Sequence, residues 1–138
     1  MTKRAVLIDS NVLIDLIREA GPWTTWSAAQ IHRLSATHTL VINPMIYAEV
    51  SYRFSDEAAL AQALDALKIE PIFMPFAAAF LAAKCHKRYR DAGGTRAATL
   101  PDFFIGAHAL IDALPLLTRD KRRYETYFPN LNLIAPEL

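Results

Sequence analysis

The chain has 138 residues, 53% of them hydrophobic, and a formal net charge of +1. That length fits one domain, 1–138, with a core large enough to fold without staples, and the apolar content argues against disorder. Near-neutral charge excludes a strongly basic tail while leaving room for a local basic patch.

The elements alternate along the chain. Val6–Ile8 reads as a strand that ends at Asp9. Val12, Leu13, Leu16 and Ile17 recur at helical spacing, which predicts a helix over Asn11–Glu19, stopped by Gly21-Pro22. Ser10 or Asn11 can cap that helix and leave Asp9 for other work. A second helix is expected from Trp23 to about Ala36, and a β-rich strand over Thr39–Asn43. Pro44 suits the first turn of a helix carrying Met45, Ile46, Val50 and Phe54. Ser55 is the expected cap of the alanine-rich helix that follows. Pro71–Pro75 reads as a third strand and Phe76–Asp91 as a helix with a left-handed exit at Gly93-Gly94. Pro101–Ala113 is helical, Leu114–Thr118 a strand, Lys121–Tyr127 a short helix and Asn130–Ile134 the last strand. Strand–helix alternation with short connections implies an α/β fold: a three-layer α/β/α sandwich around a mostly parallel sheet of four to five strands.

Several chemistries are absent from the pattern. Cys85 is the single cysteine, and His32, His38, His86 and His108 are scattered, so neither a disulfide nor a zinc site is expected. A lone cysteine fits a reducing cytoplasm, the expected location. No apolar run reaches ~18 residues, so no membrane span is expected. Asp9 and Asp15 interrupt the only candidate signal segment. There is no phosphate-cradling G-x-x-x-x-G-K-[ST] loop.

What remains is acidic. Asp9 ends the first strand, and in open parallel sheets ligands bind beyond the carboxyl ends of the strands. Glu49, in "NPMIYAEVSYRF", lies beside an apolar stripe, where a carboxylate needs a partner; an i,i+4 pair with Arg53 is the ordinary alternative. Asp102, in "TLPDFFIGAHAL", shares a face with Ile105, Gly106 and Ala109, and a capping box with Thr99 is compatible with a second role. Asp112 falls on another face and reads as solvated. Asp120 directly follows the fourth strand, where a cap for the short helix is its ordinary reading. Together the four acids are placed to meet at one end of the sheet. Their mutual repulsion would be relieved by a divalent cation, and oxygen-only ligands favour Mg²⁺ or Mn²⁺, one or two ions, over zinc. Such a site suits phosphodiester hydrolysis by a metal-activated water.

These motifs resemble those of PIN domains, and within them the VapC-type toxin ribonucleases. "VLIDSNVLIDL", "AEV", "LPDFFIGAHAL" and "LLTRDKRRYETYFPNLNLI" resemble the family's four motifs in order, over nearly the whole chain. The resemblance implies an α/β/α sandwich, Mg²⁺- or Mn²⁺-dependent endoribonuclease activity, a homodimer, and a cognate antitoxin that blocks the site. It ties Asp9 and Asp102 most closely to metal, with Glu49 and Asp120 completing the acidic set. It casts Asn11 and Thr118 as polar supports that orient acids or waters.

RNA binding would draw on Arg96 and on the basic run Arg119, Lys121, Arg122 and Arg123 beside Asp120. Lys84, Lys87, Arg88 and Arg90 fit a solvated helix face equally well. Trp23, Trp26, Tyr47 and Tyr52 are expected in the core or at a dimer contact, the latter carried by the helices around Pro44–Phe54 and Ser55–Leu67. Two competing readings are a non-catalytic RNA- or protein-binding module on the same fold and a haloacid-dehalogenase-type phosphatase. Self-repelling acids gain a binder little, and the phosphatase needs an Asp where Asn11 stands.

Overall fold

The computed structural model describes residues 3–18, 21–94 and 98–137. The order is β1 (Arg4–Ile8), α1 (Ser10–Arg18), α2 (Thr24–Ser35), β2 (His38–Ile42), α3 (Pro44–Ser51), α4 (Glu57–Ala66), β3 (Ile69–Pro71), α5 (Phe76–Asp91), α6 (Leu100–Ile111), β4 (Leu116–Leu117), α7 (Arg122–Glu125) and β5 (Leu133–Ile134). The strands form one all-parallel sheet in the order β3-β2-β1-β4-β5.

Its central strands are covered on both faces, which is why they read as unbroken apolar runs rather than alternating ones. Val6, Leu7 and Ile8 of β1, Leu40, Val41 and Ile42 of β2, and both leucines of β4 are buried. Right-handed crossovers assign the helices between β1 and β3 to one face and α5 and α6 to the other. The α1–α2 and α5–α6 packing agrees with that division. Among the described residues, no helix is long and apolar enough to cross a membrane.

The strand order reverses at β1. The chain runs outward from β1 through β2 to β3, then returns to lay β4 and β5 on the opposite side. A crevice lined by Asp120, Arg122 and Arg123 opens past the end of β4, near the switch point at which doubly wound sheets bind ligands.

Two expectations shift at the third strand and the fourth helix. The strand is Ile69–Pro71, upstream of the expected Pro71–Pro75. β2 gives its last ladder acceptor, Ile42, to the Ile72 N–H, and Asn43 then turns away to cap α3. Beyond that point the "PIFMP" segment has no strand to pair with, and Phe73 is 95% exposed. Asp56, not Ser55, caps α4, accepting the Ala59 N–H at 2.8 Å. A carboxylate at the positive end of a helix gains from the dipole as well as the hydrogen bond. The Glu19 end of the first expected helix lies outside the described residues.

One buried link joins the helices that carry Glu49 and Asp102. Asn43 Oδ1 accepts the Ile46 N–H of α3 (3.0 Å), which leaves its amide nitrogen facing His108 Nδ1 of α6 (3.2 Å). Nδ1 must then accept, so Nε2–H donates to Asp112 (3.0 Å). Burial pushes the His108 pKa down, against the pull of Asp112, in keeping with a neutral ring at this position.

α6 approaches the C-terminal segment closely at Gly106. A Cβ there would lie 2.6 Å from the ring of Phe128, which is itself buried. Alanine gains roughly 1 kcal/mol of helix propensity over glycine, but overpacking against an immovable ring costs about 1–3 kcal/mol. Gly106→Ala is expected to destabilise the fold, read as a lower urea midpoint with an unchanged m-value.

Candidate active site

The site begins with a carboxylate at the end of the most buried strand. α1 starts at Ser10, so Asp9 itself occupies the helix-entry position, and Ser10 and Asn11 lie inside the first turn. This corrects the expectation that Ser10 or Asn11 caps the helix and frees Asp9. Asp9 is buried, and its two oxygens are satisfied from three parts of the chain. Oδ1 accepts the Ser10 N–H (2.8 Å), while Oδ2 accepts the hydroxyls of Thr118 (2.9 Å) and Tyr124 (2.7 Å).

Thr118 is the junction of a wider network. Its Oγ1 accepts from Asn11 Nδ2 (3.2 Å) and from the Asp120 N–H (3.1 Å), and Asn11 Oδ1 accepts the Arg119 N–H (3.3 Å). The end of β4 is thereby fastened to the start of α1.

Glu49 approaches from α3. Its Oε1 accepts the Ser10 hydroxyl at 3.0 Å, and the same hydroxyl lies 3.5 Å from Asp9 Oδ1. Glu49 thus pairs with Ser10 rather than making the i,i+4 contact with Arg53 weighed from sequence. Asp102 approaches from α6, where its Oδ2 accepts the Thr99 N–H (2.9 Å) and hydroxyl (3.1 Å). The expected capping box is present, and it leaves Oδ1 turned toward Arg123 Nη1 at 3.7 Å. Asp120 accepts from Arg123 Nε at 3.0 Å. It does not cap α7: that helix begins after Lys121, with no side-chain cap.

Asp9, Glu49 and Asp102 feel one another's charge. Burial pushes the Asp9 carboxyl above its ordinary pKa; Tyr124 and Thr118 pull it back, and the Asp102 charge adds to the rise. Glu49 is also raised, first by burial and then by the charges of Asp9 and Asp102, against the Ser10 hydrogen bond. For Arg123, burial opposes the charge, but Asp102, Asp9 and Asp120 outweigh it and hold the guanidinium protonated.

The basic residues divide sharply. Arg119 Nε donates to Asp15 Oδ2 (2.8 Å), an oxygen that also accepts from Ser27 (2.8 Å). Arg123 is engaged by Asp120 and Asp102. Lys121 and Arg122 are exposed. Arg96 lies outside the described residues. Of the aromatic residues, Tyr52 is exposed and Trp23, Trp26 and Tyr47 are partly buried.

Three participants escaped the sequence reading. Tyr124 fell within the expected short helix with no role assigned; it is buried, and its hydroxyl finds its partner in Asp9. Ser10 looked like a cap and instead bridges two carboxylates. Arg123 looked like a phosphate contact and stands among the acids.

Carboxylates and hydroxyls gathered past the ends of β1 and β4 have the donor chemistry for a hard divalent cation. Among the described residues, no three Asp, Glu, His or Cys side chains stand close enough to ligate one ion directly. Mg²⁺ does not require that, because it keeps several waters and is commonly held by one or two carboxylates. The residues present fit a hydrated ion.

The chain belongs to the PIN domain family, which its sequence matches over residues 6–129. No curated protein matches it. In fold it is similar to VapBC2 from Rickettsia felis, solved bound to a DNA fragment from its promoter: TM-score 0.73, 17% identity, 96% of this chain and 99% of that chain. It is also similar to VapBC-1 from nontypeable Haemophilus influenzae (TM-score 0.70, 17% identity, 95% of this chain and 97% of that chain). DNA-bound VapBC from Salmonella typhimurium is a third (TM-score 0.69, 17% identity, 98% of each chain).

Two outcomes follow from the geometry. Tyr124→Phe removes a hydrogen bond to a buried carboxylate, and the loss expected is about 1.5–3 kcal/mol in urea unfolding at neutral pH. Asp9 and Glu49 both have raised pKa values, so between the ordinary carboxylate range and those values the folded chain binds more protons than the unfolded one. Stability from these groups therefore declines as pH rises through that window. Glu49→Gln is expected to flatten the decline, measured as the unfolding midpoint against pH in metal-free buffer.

Proposed function

We propose that this chain is a Mg²⁺- or Mn²⁺-dependent endoribonuclease that hydrolyses RNA phosphodiester bonds, and that it is the toxin of a VapBC-type toxin–antitoxin pair. The observation that carries this reading is the Ser10 hydroxyl set between Asp9 and Glu49, with Asp102 and Asp120 joined through Arg123, past the ends of β1 and β4. Membership of the PIN family supports nuclease chemistry. Similarity over nearly the full chain to proteins solved in VapBC complexes supports the toxin role, with a cognate antitoxin as partner.

In this reading Asp9 and Asp102 are the principal metal ligands, and Glu49 and Asp120 complete the site for one or two ions. When bound, a divalent cation supplies Lewis acidity and activates water for attack on phosphorus. The chain's own residues prepare that chemistry. Thr118, Tyr124 and the Ser10 N–H fix both oxygens of Asp9, so its orientation does not depend on the ion. Asn11 holds Thr118 in place and joins it to the backbone at Arg119. Ser10 sets the distance between Glu49 and Asp9. Glu49, partly exposed and with a raised pKa, is the carboxylate suited to exchange a proton with an attacking water.

Lys121 and Arg122 offer cations to the phosphates flanking the cut. The working unit is a single domain that acts as a cytoplasmic homodimer. Exposed Phe73, Phe76 and Phe80 supply apolar surface for protein partners.

The test is cleavage of a mixed RNA substrate with and without Mg²⁺, by wild type and by Asp9→Asn and Asp102→Asn. Metal-dependent cleavage is expected, with a fall of about a hundredfold or more in either variant, the scale seen when one electrostatic catalytic group is removed. Cleavage that needs no metal, or that survives both substitutions, would reject the mechanism. RNA binding without cleavage would favour the non-catalytic module.

A further inference from the structure

Arg123 occupies an unusual position for a nucleic-acid contact. Its Nε donates to Asp120 at 3.0 Å, and its Nη1 lies 3.7 Å from Asp102 Oδ1. The two carboxylates come from separate elements, the end of β4 and the first turn of α6. A planar guanidinium spans them with two edges of one fork. Its charge also acts on Asp9 and Glu49, so one side chain opposes the repulsion within the whole acidic set.

The two contacts differ in kind. The Asp120 contact is a charge-assisted hydrogen bond. The Asp102 contact is longer than a hydrogen bond and is attractive only through charge. Arg123 and Asp120 are 37% and 39% exposed, so the pair has an open route to solvent, whereas Asp102 is buried. The neighbouring cation Arg119 has no such freedom, because its partner Asp15 is buried and shared with Ser27.

We propose that Arg123 is a built-in counter-ion of the metal-free site: it holds the place of a divalent cation beside Asp102 and Asp120, and a cation entering there displaces it toward the crevice. This rests on the metal-dependent reading above. Three features carry it. The guanidinium bridges two of the acids that an ion would need. It neutralises charge in the state in which repulsion is greatest. Its weakest contact is the one to the principal ligand. Displacement would also return a positive charge to the surface beside Lys121 and Arg122, where a phosphate of the substrate could take it up.

The proposal predicts competition. Mn²⁺ affinity, measured by calorimetry on the full chain, is expected to tighten about tenfold or more in Arg123→Gln, since one positive charge within ~4 Å of the ligands is removed. Arg123→Lys, which keeps the charge and loses the fork, should fall between. The thermal midpoint in chelator should drop in Arg123→Gln and be raised by Mn²⁺ more than in wild type. In the wild-type protein, the Arg123 Nε–H resonance should lose its protection from exchange as Mg²⁺ is added, a readout that needs no variant. Equal or weaker Mn²⁺ affinity in Arg123→Gln, or an Nε–H signal that stays protected at saturating Mg²⁺, makes Arg123 a fixed brace and overturns the proposal alone. Absence of Mn²⁺ binding by wild type and both variants overturns the metal-dependent function and this proposal with it.

Discussion

A buried carboxylate at the end of a central parallel strand is the constraint around which the rest of this molecule is arranged. Asp9 follows three fully buried residues and is itself nearly inaccessible. Removing an ionised carboxylate from water costs several kcal/mol, and that cost is offset only by well-aligned donors. The donors come from the first turn of α1, the end of β4 and the body of α7. Two of them lie more than a hundred residues from Asp9 in sequence, so the C-terminal segment must be in place before the carboxylate is satisfied. The strand order supplies that proximity, because β4 pairs directly with β1. The same network therefore solvates Asp9 and fastens the switch point of the sheet.

The remaining acids show how stability and chemistry are divided. Glu49 satisfies one oxygen across the fold through Ser10, and Asp102 satisfies one locally through the Thr99 capping box while its other oxygen faces Arg123. The cap stabilises α6 whatever else Asp102 does, so a role at the proposed site would not compete with its role in the helix. Repulsion among the carboxylates is not removed by this arrangement. Burial is the first cause of the raised pKa values of Asp9 and Glu49; the charge of Asp102, and for Glu49 that of Asp9, adds to the rise, and Arg123 opposes it. Clustered like charges of this kind are destabilising on their own, and it is this cost that makes the cluster a candidate functional site.

The sequence was legible wherever local chemistry and tertiary environment agree. α5 begins and ends as expected, at Phe76 and Asp91, because Pro75 fixes its entry and Gly93 adopts the left-handed exit at φ 79°. The continuous apolar runs identified the central strands. The third strand was misplaced because its extent is decided by where β2 stops offering acceptors, a property of the neighbour and not of the "PIFMP" segment. The cap of α4 was misplaced by one residue because Ser55 and Asp56 are both good caps, and only the backbone turn chooses between them. At the candidate site, strand ends pointed to Asp9 and Asp120 and inward helix faces to Glu49 and Asp102; Ser10 joins Asp9 to Glu49, and Arg123 joins Asp120 to Asp102. Those placements did not reveal how each is held: Ser10, Tyr124 and Arg123 are ordinary residue types whose roles depend on direction. Along "RDKRRY" every cation looks alike, yet one helical step turns Arg122 to solvent and Arg123 into the acids.

That directional sorting has a consequence for substrate electrostatics on the proposed function. The chain carries almost no net charge, so its overall field does little to attract a polyanion. Near the crevice, Arg119 is engaged by Asp15 and Arg123 by Asp120 and Asp102, leaving Lys121 and Arg122 as the exposed charges of that run. Two surface cations set against four carboxylates do not make an attractive surface for RNA phosphates. A divalent ion changes the balance by two units of charge at the point where the phosphate must dock, and release of Arg123 would shift a positive charge already present out to the rim. Attraction of the substrate and activation of the water would then depend on the same event, and the metal-free protein would be electrostatically closed to RNA without any movement of its backbone.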